Sequence, residues 1–245
     1  MQFSKPNLPK NSARLCVISG KNKKVIRALE QRGILCCQTR PSKLLSVPIA
    51  DHPDMLMLPL KAGCCLVSAD QKELLRRLDQ FQIKAEPCKV LKPGYPAETA
   101  FNTLLIGNYL IGGSTSISFL SSFETKYEIT TVKQGYTRCS VIPVTEQAAI
   151  TADRGIADAL KTVGIEVLLI RPETGILLKG YQYGFIGGCC GKISAHELAF
   201  CGDFKTLEQY REIEHFLERF DVEPISLTTE PMQDLGGILT LCEED

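Results

Sequence analysis

Two stretches of the chain decide its fold, because they follow the same pattern. They are HPDMLMLPLKAGCCLVSADQKELLRRLDQFQIKAEPCKVL (52–91) and GYTRCSVIPVTEQAAITADRGIADALKTVGIEVLLI (135–170). In each, an apolar strand runs into a proline, a second strand ends in Ala-Asp, and an amphipathic helix leads to a closing strand. A unit of this kind cannot bury its apolar faces alone, so we expect the units to pack on one another.

Three further segments fit the same pattern, at 13–40, 101–133 and 181–227. The first of them lacks an opening strand, whereas the tail DLGGILTLC (234–242) is an opening strand with no unit behind it. We expect the tail to supply the missing strand, because closing the ring removes exposed sheet edges. The sequence therefore predicts one α/β domain of five units over 13–245, preceded by an N-terminal extension, 1–12.

Capping residues predict where two of the helices begin and end. Asp70, with Glu73 three residues later, has the spacing of a capping box. Asp153 is the expected cap of the helix in the 135–170 unit, and Gly164 is its expected stop.

Composition restricts the partners that we expect. The 245 residues include 28 Lys and Arg against 28 Asp and Glu, so the net charge is zero and no basic face for nucleic acid or an anionic membrane is indicated. No apolar stretch is long enough to cross a bilayer, and the N-terminus lacks the apolar core of a signal peptide. We therefore expect a cytoplasmic protein whose partner is a small molecule.

The eleven cysteines are expected to be buried, reduced thiols. Six of them form the adjacent pairs Cys36-Cys37, Cys64-Cys65 and Cys189-Cys190 inside apolar runs, and neighbouring strand residues point to opposite faces. The chain has no Cys-x-x-Cys spacing and no phosphate-binding or dinucleotide-binding glycine motif. We expect neither a metal nor a cofactor.

Five ββαβ-like units closed by the tail resemble the pentein superfamily, the five-bladed α/β propellers of guanidino-group-modifying enzymes. GNYLIGG (107–113) at the turn of a blade and the DLGGILTL tail carry the resemblance, which covers the chain from about residue 13. It looks closest to a small bacterial branch of unknown function. The resemblance implies an axial cavity for a guanidino, amidino or ammonium compound. In the hydrolytic members it further implies a cysteine nucleophile in the last strand and a histidine base.

Aligned on their last residues, the opening strands carry a polar side chain at their start in every unit. These side chains are Asp54, Asn102, Arg138, Gln182 and Asp234. In a ring they converge on the axis, and an apolar cavity with a few convergent polar groups is the usual small-molecule site. We expect the two aspartates to pair with a cation and Arg138 to pair with a carboxylate. The alternative is that all five are solvated strand ends.

Four neighbouring residues are further candidates. His52 beside Asp54 is either a general acid or base near neutral pH or part of a solvated lead-in. Cys139 beside Arg138 is either a reactive thiol or a packed core thiol. Tyr136 and Tyr183, at the channel ends of their strands, either stack on a flat ligand or only pack.

The sequence departs from the hydrolytic pattern at two places. The nucleophile position in the last strand falls on Leu241, with Cys242 on the opposite face, and the expected histidine falls near Gln182 and Tyr183. Two functions therefore stay open. In the first, the protein is a pentein that binds a small guanidino, amidino or amino compound and either only binds it or also hydrolyses it. In the second, it is a non-catalytic propeller that acts as an interaction protein.

Overall fold

The computed structural model describes residues 1–123 and 126–245 and builds six α-helices and sixteen strands from them. The helices are α1 (Lys23–Gln31), α2 (Pro53–Leu56), α3 (Lys72–Gln80), α4 (Ser114–Leu120), α5 (Arg154–Thr162) and α6 (Tyr210–Glu218). The strands are β1 (Gln2–Phe3), β2 (Ala13–Ser19), β3 (Leu35–Thr39), β4 (Met57–Lys61), β5 (Cys64–Ser68), β6 (Lys84–Cys88), β7 (Leu104–Ile106), β8 (Tyr109–Gly112), β9 (Glu128–Thr131), β10 (Val141–Thr145), β11 (Ala148–Thr151), β12 (Glu166–Leu169), β13 (Cys190–Lys192), β14 (Glu197–Phe200), β15 (Glu223–Ser226) and β16 (Leu239–Glu243). Across the described residues, no helix combines the length and apolarity that a membrane span requires.

The strands form five small sheets, which are the five blades of an α/β propeller. Their strand orders are β1-β16-β2-β3, β4-β5-β6, β7-β8-β9, β10-β11-β12 and β13-β14-β15, numbered here as blades 1 to 5. In each blade the opening strand pairs antiparallel with the middle strand, and a helix then leads to a third strand that pairs parallel. The predicted α/β propeller of five repeated units is confirmed.

The tail closes the ring in the way that the sequence predicts. β16 pairs antiparallel with β2, with Leu239 opposite Val17 and Thr240 opposite Cys16. A bulge at Leu241 then shifts the register, so that Cys242 lies opposite Leu15. The short strand β1, within the predicted extension, covers the outer edge of β16.

The buried side chains fall into five hydrophobic clusters, each of which lies between two neighbouring blades. The clusters join blades 1 and 2, 2 and 3, 3 and 4, 4 and 5, and 5 and 1. For example, Val17 of β2 and Val67 of β5 share one cluster, and Ile18 of β2 and Ala199 of β14 share another. Because each blade buries an apolar face against the blade on either side, the ring is held by five blade interfaces.

One of the two predicted helix caps is confirmed and the other is wrong. The side chain of Asp153 accepts a hydrogen bond from the backbone N–H of Ile156, as expected for the cap of α5. By contrast, α3 begins at Lys72 without a side-chain cap, because the Asp70 carboxylate accepts hydrogen bonds from the hydroxyls of Ser42 and Ser68 instead.

The opening strand of blade 5 begins later than the repeat alignment predicts. β13 starts at Cys190, so it is wrong to place Gln182 and Tyr183 at the start of this strand. Both residues lie in the long connection between β12 and β13. Gly187 and Gly188, just before this strand, belong to a short 3-10 turn.

Candidate functional site

A hydrogen-bonded cluster of buried polar side chains lies at the axis of the ring. The Cys139 thiol donates to Oδ2 of Asp54 at 2.9 Å and accepts from Nδ2 of Asn102, also at 2.9 Å. Cys139 precedes β10, Asp54 lies in α2 and Asn102 precedes β7. Residues from blades 4, 2 and 3 therefore meet at one point, as the predicted convergence requires.

The environment of Asp54 disfavours the charged form of its carboxyl group. It is 1% exposed, and burial raises its pKa from 3.8 to about 6, with the nearby Asp234 adding to the shift. His52, the Cys139 thiol and Arg138 act in the opposite direction. A carboxyl group in water is almost fully ionised near neutral pH, whereas the environment of Asp54 brings the pKa of this carboxyl group close to the physiological range.

Asn102 fixes the backbone beneath the thiol. Its Oδ1 accepts from the backbone N–H groups of Arg138 at 2.8 Å and Cys139 at 3.2 Å. Its Nδ2 also lies 3.2 Å from the backbone oxygen of Asp54. Asn102 is fully buried, so this one amide side chain satisfies groups on two different blades.

Arg138 points away from its neighbour Cys139. Its Nε donates to Oδ1 of Asn7 at 3.0 Å, and its Nη1 donates to the backbone oxygens of Gly187 at 3.2 Å and Val141 at 3.4 Å. These acceptors hold the guanidinium in the closed centre of the ring, where it lines a void of about 10 Å³ beside Asp54. Its position therefore gives no support to the predicted pairing of Arg138 with a ligand carboxylate.

His52 and Asp234 form the second polar pair at the axis. Nδ1 of His52 lies 3.7 Å from Oδ1 of Asp234, and both side chains are 2% exposed. The Asp234 carboxylate also accepts from the backbone N–H groups of Phe185 at 2.9 Å and Gly236 at 3.1 Å. These two backbone donors fix the orientation of the carboxylate.

Glycine is required where the backbone approaches this pair. A Cβ at Gly188 would lie 2.1 Å from Oδ1 of Asp234, and one at Gly236 would lie 2.4 Å from Cβ of His52. Gly236 also has φ +75°, a backbone conformation that favours glycine. The glycines in the tail and before β13 therefore make room for the two polar side chains.

The polar groups open into a cavity of about 310 Å³, which we call the axial cavity. Its polar lining includes His52, Cys139, Gln182 and Asp234. The rest of its wall is apolar or aromatic, formed by Ile49, Met55, Tyr136, Leu178, Tyr181, Tyr183 and Phe185. A cavity of this size with few polar groups is suited to a small organic ligand.

The predicted residues thus divide into three groups. His52, Tyr136, Cys139, Gln182, Tyr183 and Asp234 line the axial cavity. Asp54 and Asn102 lie directly behind the thiol, and Arg138 lies in the closed centre of the ring. The hydroxyl of Tyr136 donates a hydrogen bond to Glu98, which fixes the ring in the cavity wall. Burial, together with this hydrogen bond, raises the pKa of the phenol.

The cysteine thiols differ in their surroundings. Burial and the adjacent Asp54 raise the pKa of Cys139 well above its usual value, so the free protein holds this thiol protonated. Cys242 packs with Cys37 and Cys65 in the cluster between blades 1 and 2, and burial raises its pKa to about 11. Neither Leu241 nor Cys242 lines the axial cavity.

Sequence reasoning missed several residues of the site. Tyr181 and Phe185 come from the connection between β12 and β13, which has no periodicity that would predict its path. Asn7, the partner of Arg138, lies in the predicted extension 1–12, where no motif marked it. Its φ of +63°, which asparagine tolerates better than most residues, is visible only in the structure.

A closed ring of five blades around an axial cavity is the fold of the pentein class of α/β propellers. Within that class, the chain belongs to the family of unknown function DUF6873, which matches residues 17–239. No curated protein matches the chain in sequence.

Solved structures with the same fold include enzymes of several activities. The chain is similar to an inosamine-phosphate amidinotransferase from Streptomyces griseus, with a TM-score of 0.65, 11% identity and coverage of 100% of this chain and 98% of that chain. It is similar to an amidinotransferase of the saxitoxin pathway from Microseira wollei, with a TM-score of 0.63, 10% identity and coverage of 100% and 98%. It is also similar to agmatine deiminase from C. jejuni, with a TM-score of 0.55, 10% identity and coverage of 93% and 90%. At these identities the likeness establishes the fold alone.

Proposed function

We propose that the protein binds a small compound with a guanidino or amidino group in the axial cavity. The observation that carries the proposal is that Asp234 and Cys139 line the same aromatic-walled cavity of about 310 Å³, with Asp54 directly behind the thiol. A planar cation is attracted both to carboxylates and to the faces of aromatic rings. The amidinotransferases and the agmatine deiminase that share the fold support this class of compound.

The lining residues would have different roles in binding the ligand. Asp234 would pair with the cation, while Asp54 adds negative charge from behind Cys139. Tyr136 and Tyr183 would flank a flat group, Gln182 would add a hydrogen bond, and His52 would exchange a proton with the ligand. All eleven cysteines are unpaired, which supports a reducing, cytoplasmic location for this binding protein.

Ligand binding is tested by thermal shift and calorimetry with arginine, agmatine and simple alkylguanidines. A ligand at a hundredfold excess over its Kd stabilises the folded state by about 2.7 kcal/mol, which raises the melting temperature by several degrees. Asp234→Asn should abolish the shift, whereas Asp158→Asn, on the exposed face of α5, should leave it unchanged. If no guanidino or amidino compound binds, the rival proposal of a non-catalytic interaction protein is favoured.

Hydrolysis through Cys139 is a second candidate, supported by the contact between its thiol and Asp54. A bound cation beside the thiol would lower its pKa, and the thiol proton would pass to Asp54. Sγ would then form a bond to the guanidino carbon, the C–N bond to the leaving amine would break, and the amine would take up a proton. Attack by water on the resulting amidino thioether would break the C–S bond and release a urea product and the thiol.

Catalysis and binding are separated by one variant. Cys139→Ala removes the sulfur and leaves the Asp234 carboxylate in place. If the protein hydrolyses its ligand, this variant should bind the ligand and release no amine or ammonia, measured by a coupled ammonia assay and mass spectrometry. Equal turnover by wild type and variant would overturn the hydrolytic candidate.

A further inference from the structure

Two cysteine side chains are in contact within blade 1, far along the strands from the ligand site. β2 and β3 are parallel neighbours, and their register places Cys16 directly opposite Cys36. The two side chains therefore point to the same face of the sheet, and their Sγ atoms lie 3.7 Å apart. Both belong to the cluster between blades 1 and 5, whereas Cys37 packs on the other face, between blades 1 and 2.

The spacing of the two strands is compatible with a disulfide bond. Neighbouring strands in a sheet lie about 4.7–4.9 Å apart, and the Cα atoms that a disulfide joins are usually about 4.4–6.8 Å apart. Because Cys16 and Cys36 are already opposite each other, their sulfur atoms can approach by side-chain rotation while the strand pairing is kept.

The two thiols differ in their access to solvent. Cys36 is half-buried, whereas Cys16 is 0% exposed. The hydrogen bond with Cys36, together with burial, raises the pKa of the Cys16 thiol well above its usual value. A dissolved oxidant therefore meets Cys36 first, and Cys16 lies directly behind it. Redox-sensing cysteines are solvent-accessible and often lie beside a second thiol of this kind, which resolves the oxidised sulfur.

From this arrangement we infer that Cys16 and Cys36 are a site of reversible oxidation, at which hydrogen peroxide converts the two thiols into a disulfide. The thiolate of Cys36 attacks one peroxide oxygen, the O–O bond breaks, and the departing hydroxide takes up a proton, which leaves a sulfenic acid on Cys36 and one water. Sγ of Cys16 then gives up its proton and bonds to Sγ of Cys36, while the S–O bond breaks and the hydroxide leaves as a second water. Overall, the two thiols lose two electrons and two protons, and the peroxide is reduced to water.

This site is separate from the axial cavity. Neither Cys16 nor Cys36 lines that cavity, so the inference does not depend on the proposed ligand. It also agrees with a reducing location, because disulfides that form in such a compartment are usually transient and catalytic or redox-sensing. The two cysteines flank α1 in the chain, so the bond would enclose this helix and tie β2 to β3.

The first experiment uses the wild-type protein. It is treated with a small excess of hydrogen peroxide, its remaining thiols are blocked with iodoacetamide, and its tryptic peptides are mapped without reduction. Trypsin cuts between Cys16 and Cys36, so the disulfide appears as one species with the summed mass of two peptides less two hydrogen atoms. We expect both free thiols to be lost into this species and dithiothreitol to restore them. Fragmentation of the crosslinked species assigns the bond to Cys36 or to Cys37.

Cys64 is a matched control within the same sample. Like Cys36, it is half-buried and is followed by a second cysteine. In the sheet, however, Lys61 and Lys84 lie opposite Cys64, so no thiol faces it across the strands. Peroxide should therefore leave Cys64 as a sulfenic or sulfinic acid without a crosslink.

Two variants assign the roles of the cysteines. In Cys16→Ala, Cys36 should accumulate as a sulfenic acid that dimedone traps. In Cys36→Ala, Cys16 should remain a free thiol, because it is buried. The inference is overturned if the wild-type protein forms no crosslink, if Cys36 bonds to Cys37 instead, or if Cys64 forms crosslinks as readily as Cys36. The mapping of the wild-type protein decides among these outcomes whether or not the variants fold.

Discussion

The thiol of Cys139 donates its hydrogen bond to Oδ2 of Asp54 over 2.9 Å, and this contact joins blade 4 to blade 2 across the axis. It brings together two groups whose pKa values are both raised by burial. Because the thiol stays protonated, the charge of the pair near neutral pH depends on Asp54. The axis of the ring therefore contains a carboxyl group that titrates within the range accessible to ordinary stability measurements.

The first prediction concerns pH and Asp54. Its pKa is 3.8 in an ordinary environment and about 6 in the folded protein. Between these two values the folded state keeps a proton that the unfolded state has released, so stability falls as the pH rises from about 4 to above 6. At 1.36 kcal/mol per unit, this amounts to about 3 kcal/mol. Replacing Asp54 by Asn removes this contribution.

The measurement is the free energy of unfolding by urea at several pH values from 4 to 7.5. Relative to wild type, Asp54→Asn should gain about 2–3 kcal/mol as the pH rises across this range. Asp158→Asn, at an exposed position on α5, should run parallel to wild type. If the stability of Asp54→Asn instead ran parallel to that of wild type across this pH range, the Asp54 carboxyl group of the wild-type protein would titrate as it does in water.

A second prediction concerns Asn102 as the residue that positions the thiol. Asn102→Ala would leave the buried N–H groups of Arg138 and Cys139 without their acceptor. Each unsatisfied buried group costs about 1–3 kcal/mol, so we expect a loss of about 3 kcal/mol in the free energy of unfolding. Asn108→Ala, in an exposed turn, is the matched control and should change stability by less than about 0.5 kcal/mol. Similar losses for the two variants would contradict the role assigned to Asn102.

The sequence predicted the ring because each of its signals is local or repeated. The proline-ended strands, the helix capped by Asp153 and the unpaired tail 234–242 are all visible in a short window. Their periodicity predicts the packing partners of each unit, which the five blade interfaces confirm. Convergence of Asp54, Asn102 and Arg138 follows from that symmetry.

The walls of the site were harder to predict, because they come from segments that break the repeat. The connection before β13 brings Tyr181 and Phe185 to the cavity, and its length made the repeat alignment misplace Gln182. The direction of the Arg138 side chain depends on Asn7 and on backbone oxygens of blade 5, which are distant in sequence. Contacts of this kind are set by tertiary packing and leave no local pattern.

A third prediction concerns thiol reactivity in the free protein. Cys139 lines the axial cavity, so a small reagent can reach it, but its raised pKa keeps the thiolate fraction low. Iodoacetamide reacts with the thiolate, and we therefore expect Cys139 to be labelled about tenfold or more slowly than the half-buried Cys36 and Cys64. Peptide mapping over a time course measures the rates. Fastest labelling at Cys139 would show instead that the free site already activates this thiol.

The fourth prediction tests ring closure at Gly191. This residue lies in β13, and the backbone N–H of Ile238, just before β16, bonds to the oxygen of the adjacent Cys190 at 3.2 Å. A Cβ at Gly191 would lie 2.1 Å from the backbone oxygen of Ile238, and a backbone atom cannot move aside as a flexible side chain can.

Gly191→Ala must therefore push blade 5 away from the strand that closes the ring, and overpacking of this kind costs about 1–3 kcal/mol. Gly175→Ala is the matched control, because its Cβ would lie 3.8 Å from the backbone oxygen of Thr206, an ordinary van der Waals contact. Urea unfolding should show a loss of about 2 kcal/mol or more for Gly191→Ala and a change within about 0.5 kcal/mol for Gly175→Ala. Equal stability of the two variants would mean that β13 and the tail do not approach as closely as closure of the ring requires.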